Sequence, residues 1–342
     1  MIPDHRHAQA ARIFRAVFAL NTVLTVFWLY ALIAGRVPYF WEGYQANGEA
    51  LVRVLVGIAF FYVVWGFIWW VIKGQLLRRF VGFSREEVRQ AFSSRTREPF
   101  EVADLTARYS ERRIRIVDMI GRRGRFITLA AAGLYYLYVQ VATNPTDNFA
   151  SAFLGDNLFD ALVTSWVFLG LFYSDHWVAA MFYGPQSRVM DGVLARANCL
   201  TITSLWLLFK VVLVPVGAQL AVVYPREEFA VVFVLIWGAY LVTDASAEIV
   251  GSLIGRQQIR VWGVGDINRK SIAGTVGGFL AALTLGVGIV LAYGLGPSWI
   301  VLAVVVAVSN SLLELYSPRG TDDFTMATAN ALICLALGLW FR

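Results

Sequence analysis

Stretches of about twenty predominantly apolar residues recur along the whole chain, and twenty residues of helix is roughly the length that crosses a bilayer. Nine such stretches can be marked, at about 14–34, 52–72, 126–143, 157–175, 200–222, 229–253, 272–294, 299–317 and 325–341. Composition points the same way. Of 342 residues, 58% are hydrophobic and 15% charged, against roughly 45–50% and ~25% in a soluble domain. The expectation is an all-α, polytopic integral membrane helix bundle of about nine transmembrane helices. A soluble enzyme, a secreted disulfide scaffold and a nucleic-acid-binding domain are excluded, even though the net charge is +6. Cys199 and Cys334 both lie in apolar stretches and imply no disulfide framework.

Orientation follows from where Lys and Arg fall, because cytoplasmic loops carry the excess of them. Segments 1–15, 73–125, 176–199, 254–271 and 318–325 hold 24 of the 29 basic residues. That places the N-terminus inside, in a multi-pass protein of the cytoplasmic membrane if the source is bacterial. Segment 73–125 is the one sizeable polar stretch, with 14 basic and 7 acidic residues. Val88 and Phe92, and Ile114, Val117 and Ile120, recur at helical spacing within it, so amphipathic helices are expected there. Its arginines suit a solvated loop or a surface that docks on anionic lipid, each basic residue adding ~1 kcal/mol near the membrane. The chain divides into an N-terminal membrane region, 1–198, and a C-terminal membrane domain, 199–342, that holds the candidate chemistry.

Carboxylates within a membrane helix cost at least ~2.5–3.5 kcal/mol each at its centre and mark functional positions by default. The sixth stretch carries Asp244 and Glu248 four residues apart, on one helix face. Gly251 and Gly255 continue that face as a ridge of small residues that admits close approach. The eighth carries Asn310 and Glu314 at the same spacing, and Asp322-Asp323 opens the ninth. Between the sixth and seventh lies Asn268-Arg269-Lys270-Ser271, followed by glycines at 274, 277 and 278. Ser271 reads as a helix N-cap, and the N–H groups behind it favour an anion. Lys270 adds a positive charge beside them. A phosphate cradle facing several carboxylates able to hold Mg²⁺ is the reading that joins these residues. Asp244 and Glu248 paired with Lys210 of the fifth stretch is the structural alternative.

In order, Asp244-Ala245-Ser246-Ala247-Glu248 with Gly251 and Gly255, Asn268-Arg269-Lys270-Ser271-Ile272-Ala273-Gly274, then Glu314 and Asp322-Asp323 resemble the CTP-dependent lipid-alcohol kinases. That family includes dolichol and phytol kinases and is distantly related to phosphatidate cytidylyltransferases. The resemblance covers about 229–342. It implies transfer of the γ-phosphate of CTP to a membrane lipid alcohol, of the polyprenol, dolichol, phytol or diacylglycerol kind, at the cytoplasmic leaflet. Asp244, Glu248, Asp322 and Asp323 would hold Mg²⁺. Asn268, Lys270, Ser271, Gly274, Gly251 and Gly255 would meet the nucleotide. Asp244, Glu248, Lys270 and Glu314 would carry the chemistry, with Glu314 or Glu248 taking the proton of the acceptor. Phe324 stands where members often have Asn, Thr328 where a Pro is common, and Thr243 where a Gly is common. An Arg-x-Asp-Ser step near the C-terminus, which marks the cytidylyltransferases, is absent, and this favours the kinase. A transporter would show repeated halves, and no repeat is visible; a non-catalytic membrane protein is the remaining rival.

Overall fold

The computed structural model describes residues 5–35, 64–92, 102–143, 181, 184–185, 187–189, 216–217, 219–220, 222–261, 268–317 and 321–341. The expected stretch 157–175, most of 52–72 and 200–222, and Lys210 lie outside the described residues.

The described chain is mostly helical. Helix α1 (His5–Ile33) is followed by a helical stretch, 64–76, that ends in a π-helical turn, Leu77–Val81. Three helices come from the polar stretch: α2 (Arg85–Phe92), α3 (Val102–Arg108) and α4 (Glu111–Thr143). The C-terminal part holds α5 (Arg226–Phe233), a π-helical turn (Val234–Gly238), α6 (Ala239–Ile254), α7 (Ile272–Ala292), α8 (Pro297–Tyr316) and α9 (Asp322–Phe341). A two-stranded antiparallel ribbon, β1 (Gln258–Val261) and β2 (Asn268–Ser271), joins α6 to α7. The expectation of helix alone did not foresee this ribbon. Its register sets Gln258 against Ser271 and Ile259 against Lys270.

Four helices among the described residues are long and apolar enough to cross a membrane: Glu227–Ile254, Ile272–Ala292, Pro297–Tyr316 and Phe324–Phe341. They match the last four expected stretches to within about two residues. The first is 72% buried and the second only 22%, so the rod made of α5, its π turn and α6 is the centre of the group. Tyr240, Leu235, Leu302, Val306, Ala307, Met326 and Ala331 fill the interface around it. Val276, Leu280, Val301, Leu312 and Leu339 point outward. An apolar exterior on helices of this length is the surface a lipid solvent covers.

The polar stretch has a small core of its own. Leu77, Phe83, Phe92, Leu105, Ile114, Val117 and Val189 pack together, so Phe92, Ile114 and Val117 face inward as their spacing suggests. Ser84 starts α2 with a reciprocal cap: its hydroxyl accepts the Glu87 N–H and Glu87 accepts the Ser84 N–H. The Tyr109 hydroxyl and Arg108 also bond to Glu87. Partial burial works against the Glu87 charge, but these donors outweigh it and hold the carboxyl below its ordinary range. Burial and the nearby carboxylate raise the Tyr109 phenol. Helix α4 begins in this polar core and runs on without a break through the third expected stretch. It therefore carries its arginines to the edge of the apolar helices.

Candidate functional site

Asp244 and Glu248 lie on one face of α6, as their spacing requires, and that face meets α4. Arg123 on α4 is buried between them. Its terminal nitrogens clasp both oxygens of Asp244, one contact at 2.8 Å, and its Nε bonds to Glu248. Glu248 is also held by Arg122 at 2.6 Å and Arg188 at 3.3 Å, both on the same oxygen. A bidentate guanidinium–carboxylate pair fixes direction as well as charge. Lys210, the partner in the structural alternative, lies outside the described residues; among the described residues the partners are arginines. Arg122 and Arg123 were visible only as basic residues of the polar stretch. Nothing in the sequence around Arg188 marks it for this role.

Arg188 is aimed by its neighbours. Lys73 is fully buried, pairs with Asp118 at 3.0 Å and donates to the carbonyl of Ser187. Asp118 accepts the N–H of Val189 at 2.8 Å. The residues on either side of Arg188 are thus tied to α4 and to the helical stretch before it.

Helix α8 brings Glu314 to the other side of Asp244. One carboxylate oxygen from each of Asp244, Glu314 and Asp322 lies within 4.8 Å of the other two. Lys270, at the end of the ribbon, reaches Glu314 twice: its side chain at 2.9 Å and its backbone carbonyl. The second Glu314 oxygen is buried and has no hydrogen-bond partner among the described residues. Both polar atoms of the Asn310 side chain are in the same state. The Ser317 and Thr325 hydroxyls bond at 2.6 Å and tie the end of α8 to the start of α9, close to Asp322.

Three carboxylates from three helices suit a hard divalent cation such as Mg²⁺, which takes six oxygen donors, several of them water. Arg123 uses both Asp244 oxygens, yet a carboxylate oxygen has a second lone pair. Among the described residues, Asp244, Glu314 and Asp322 form a group that could hold a metal. Glu248, one turn further along α6, bonds to Arg122, Arg123 and Arg188. The Asp323 side chain lies outside the described residues.

Ser271 caps α7 as expected, its hydroxyl accepting the Gly274 N–H at 3.0 Å. The Ile272 N–H donates to the Gln257 carbonyl at 3.2 Å. Two first-turn donors expected to face a phosphate are thus already used. The glycines have a packing reason. A Cβ on Gly251 or Gly255 would stand 2.7 or 2.6 Å from the Ser271 hydroxyl, and one on Gly274 would stand 2.5 Å from the Ala247 carbonyl. They let α6 and α7 cross almost backbone to backbone. The Asn268 side chain lies outside the described residues.

No family model, curated protein or solved structure matches the chain.

Proposed function

We propose that this chain is a membrane-embedded phosphotransferase that moves the γ-phosphate of CTP to the hydroxyl of a membrane lipid alcohol. The observation that carries this is the meeting of Asp244, Glu314 and Asp322, from three apolar helices, with a rim of cations made by Lys270, Arg122 and Arg188. Phosphoryl transfer asks mainly for positioning and for charge opposite the phosphates. Arg122 and Arg188 are 19% and 34% exposed and offer that charge from the mouth of the site. Arg123 fixes the direction of Asp244. Mg²⁺, when bound by Asp244, Glu314 and Asp322, supplies further charge opposite the phosphates. Glu314 orients the acceptor hydroxyl and takes its proton as the alcohol oxygen bonds to the γ-phosphorus and the bond to CDP breaks. The acceptor's apolar tail stays in the lipid.

Nine spans, an inside N-terminus and a site at the inner leaflet belong to this proposal, as do CTP and the alcohol class, which rest on the family resemblance. Purified protein incubated with α- or γ-labelled CTP and a panel of prenols and diacylglycerol tests it. Label should reach lipid from the γ position only. Transfer of the α label alone establishes a cytidylyltransferase instead.

One observation favours a second reading. Asp244, Glu248, Glu314 and Asp322 stand against Arg122, Arg123, Arg188 and Lys270, four acidic side chains against four basic ones, which is also what a purely structural network needs. No transfer of either label, with no effect of CTP on thermal stability, selects that reading.

A further inference from the structure

The geometry points to Asn310 and the free oxygen of Glu314 as the subsite for the acceptor hydroxyl; this rests on the reading of the chain as a lipid-alcohol phosphotransferase. Asn310 is fully buried, and among the described residues neither its amide nitrogen nor its oxygen has a hydrogen-bond partner. One turn on, Glu314 Oε2 is equally buried and equally unmatched. Burying such a group without a partner is costly, and here three belong to two residues one turn apart on α8.

Helix-to-helix bonding is not the reason for Asn310. The bundle's other fully buried asparagine on these helices, Asn330, donates to the Ile236 carbonyl at 3.1 Å and so ties α9 to the central rod. Among the described residues Asn310 makes no such tie. Residues four apart on a helix have Cβ atoms about 5–6 Å apart, a separation that one interposed oxygen bridges. An alcohol hydroxyl has the right chemistry. It accepts from Asn310 Nδ2–H and donates to Glu314 Oε2, which leaves its proton on the group that removes it. Asn310 lies six residues before the end of α8, about 9 Å into the helix at 1.5 Å per residue. A hydroxyl that reaches it comes with an apolar tail, from within the membrane.

The test uses the full chain in lipid nanodiscs, without nucleotide. Phytol and dioleoylglycerol are the probes, and phytyl methyl ether, which cannot donate, is the control. Phytol or dioleoylglycerol should raise the thermal midpoint of the wild type and the ether should not. Asn310→Leu, with no polar atom to satisfy, should keep or raise the unliganded midpoint and lose the alcohol-dependent shift. In the γ-label assay it should raise the KM for alcohol about tenfold and leave that for CTP unchanged. If Asn310→Leu does not fold, Asn310→Ala is read in the same way. An equal shift with the ether, no alcohol shift in the wild type, or an unchanged shift in the variant overturns the assignment. An Asn310-dependent alcohol shift without any phosphate transfer upholds the subsite and removes the kinase. Phosphate transfer with an unchanged alcohol KM in the variant does the reverse.

Discussion

Arg123→Gln is the perturbation that most directly tests the polar centre of the bundle. Arg123 gives Asp244 a two-pronged contact and Glu248 a third bond. Glu248 keeps Arg122 and Arg188 when Arg123 is lost. Asp244 keeps nothing comparable: among the described residues its hydrogen bonds all come from Arg123. Removing one partner of a buried pair typically costs about 3–5 kcal/mol, because the other charge stays buried and unmatched. The full range is expected here, since Asp244 also faces Glu314 and Asp322. Asp244→Asn in the same chain removes the stranded charge. The double variant should therefore be more stable than Arg123→Gln alone, with a coupling of about 2–3 kcal/mol between the two changes. Unfolding free energies from SDS titration in mixed micelles, for the wild type, both single variants and the double, give the coupling directly. Arg115→Gln is the control: its partner Glu111 and it are 47% and 59% exposed, and the change should stay within about 0.5 kcal/mol. Additive losses from Arg123→Gln and Asp244→Asn would refute the reasoning.

Three further outcomes are expected. Gly274→Ala should destabilise the α6–α7 crossing, because its Cβ would meet the Ala247 backbone oxygen at 2.5 Å, whereas Gly288→Ala, with open space around it, should be neutral or stabilising by about 0.5–1 kcal/mol; thermal midpoints of the two variants check this. Asp322→Asn should abolish phosphate transfer while leaving the midpoint within the scatter of the wild type, since Asp322 is only partly buried and makes no salt bridge among the described residues; an active Asp322→Asn removes it from the metal group. The Glu87 carboxyl is held below its ordinary range, so its contribution is fully present above about pH 4–5 and is lost as pH falls through the lowered value. Glu87→Gln should therefore flatten the acid limb of the stability–pH profile and leave the neutral region parallel to the wild type.

What a residue spacing encodes locally is legible in the sequence itself. Apolar run length located the four C-terminal membrane-length helices, because crossing a lipid layer depends on length and polarity alone. The four-residue spacing put Asp244 with Glu248 and Asn310 with Glu314 on common faces, since helix geometry is independent of context. Ser271 declared itself as a cap by standing before an apolar glycine-rich run. The Ser84–Glu87 capping box was equally open to reading. Which faces meet was not. Nothing local in Arg122-Arg123-Gly124-Arg125 distinguishes a solvated arginine from one buried against Asp244, 121 residues away. That difference arises only because α4 continues unbroken from the polar core to the apolar helices and packs on α6. The same holds for the carboxylates: sequence order groups Asp244 with Glu248, and only the packing of α6, α8 and α9 sets Glu314 and Asp322 beside Asp244 and the packing of α4 sets arginines beside Glu248. The glycines show the limit most plainly. Their spacing announces a close approach, and only the crossing of α6 and α7 decides that the approaching atoms are the Ala247 carbonyl and the Ser271 hydroxyl.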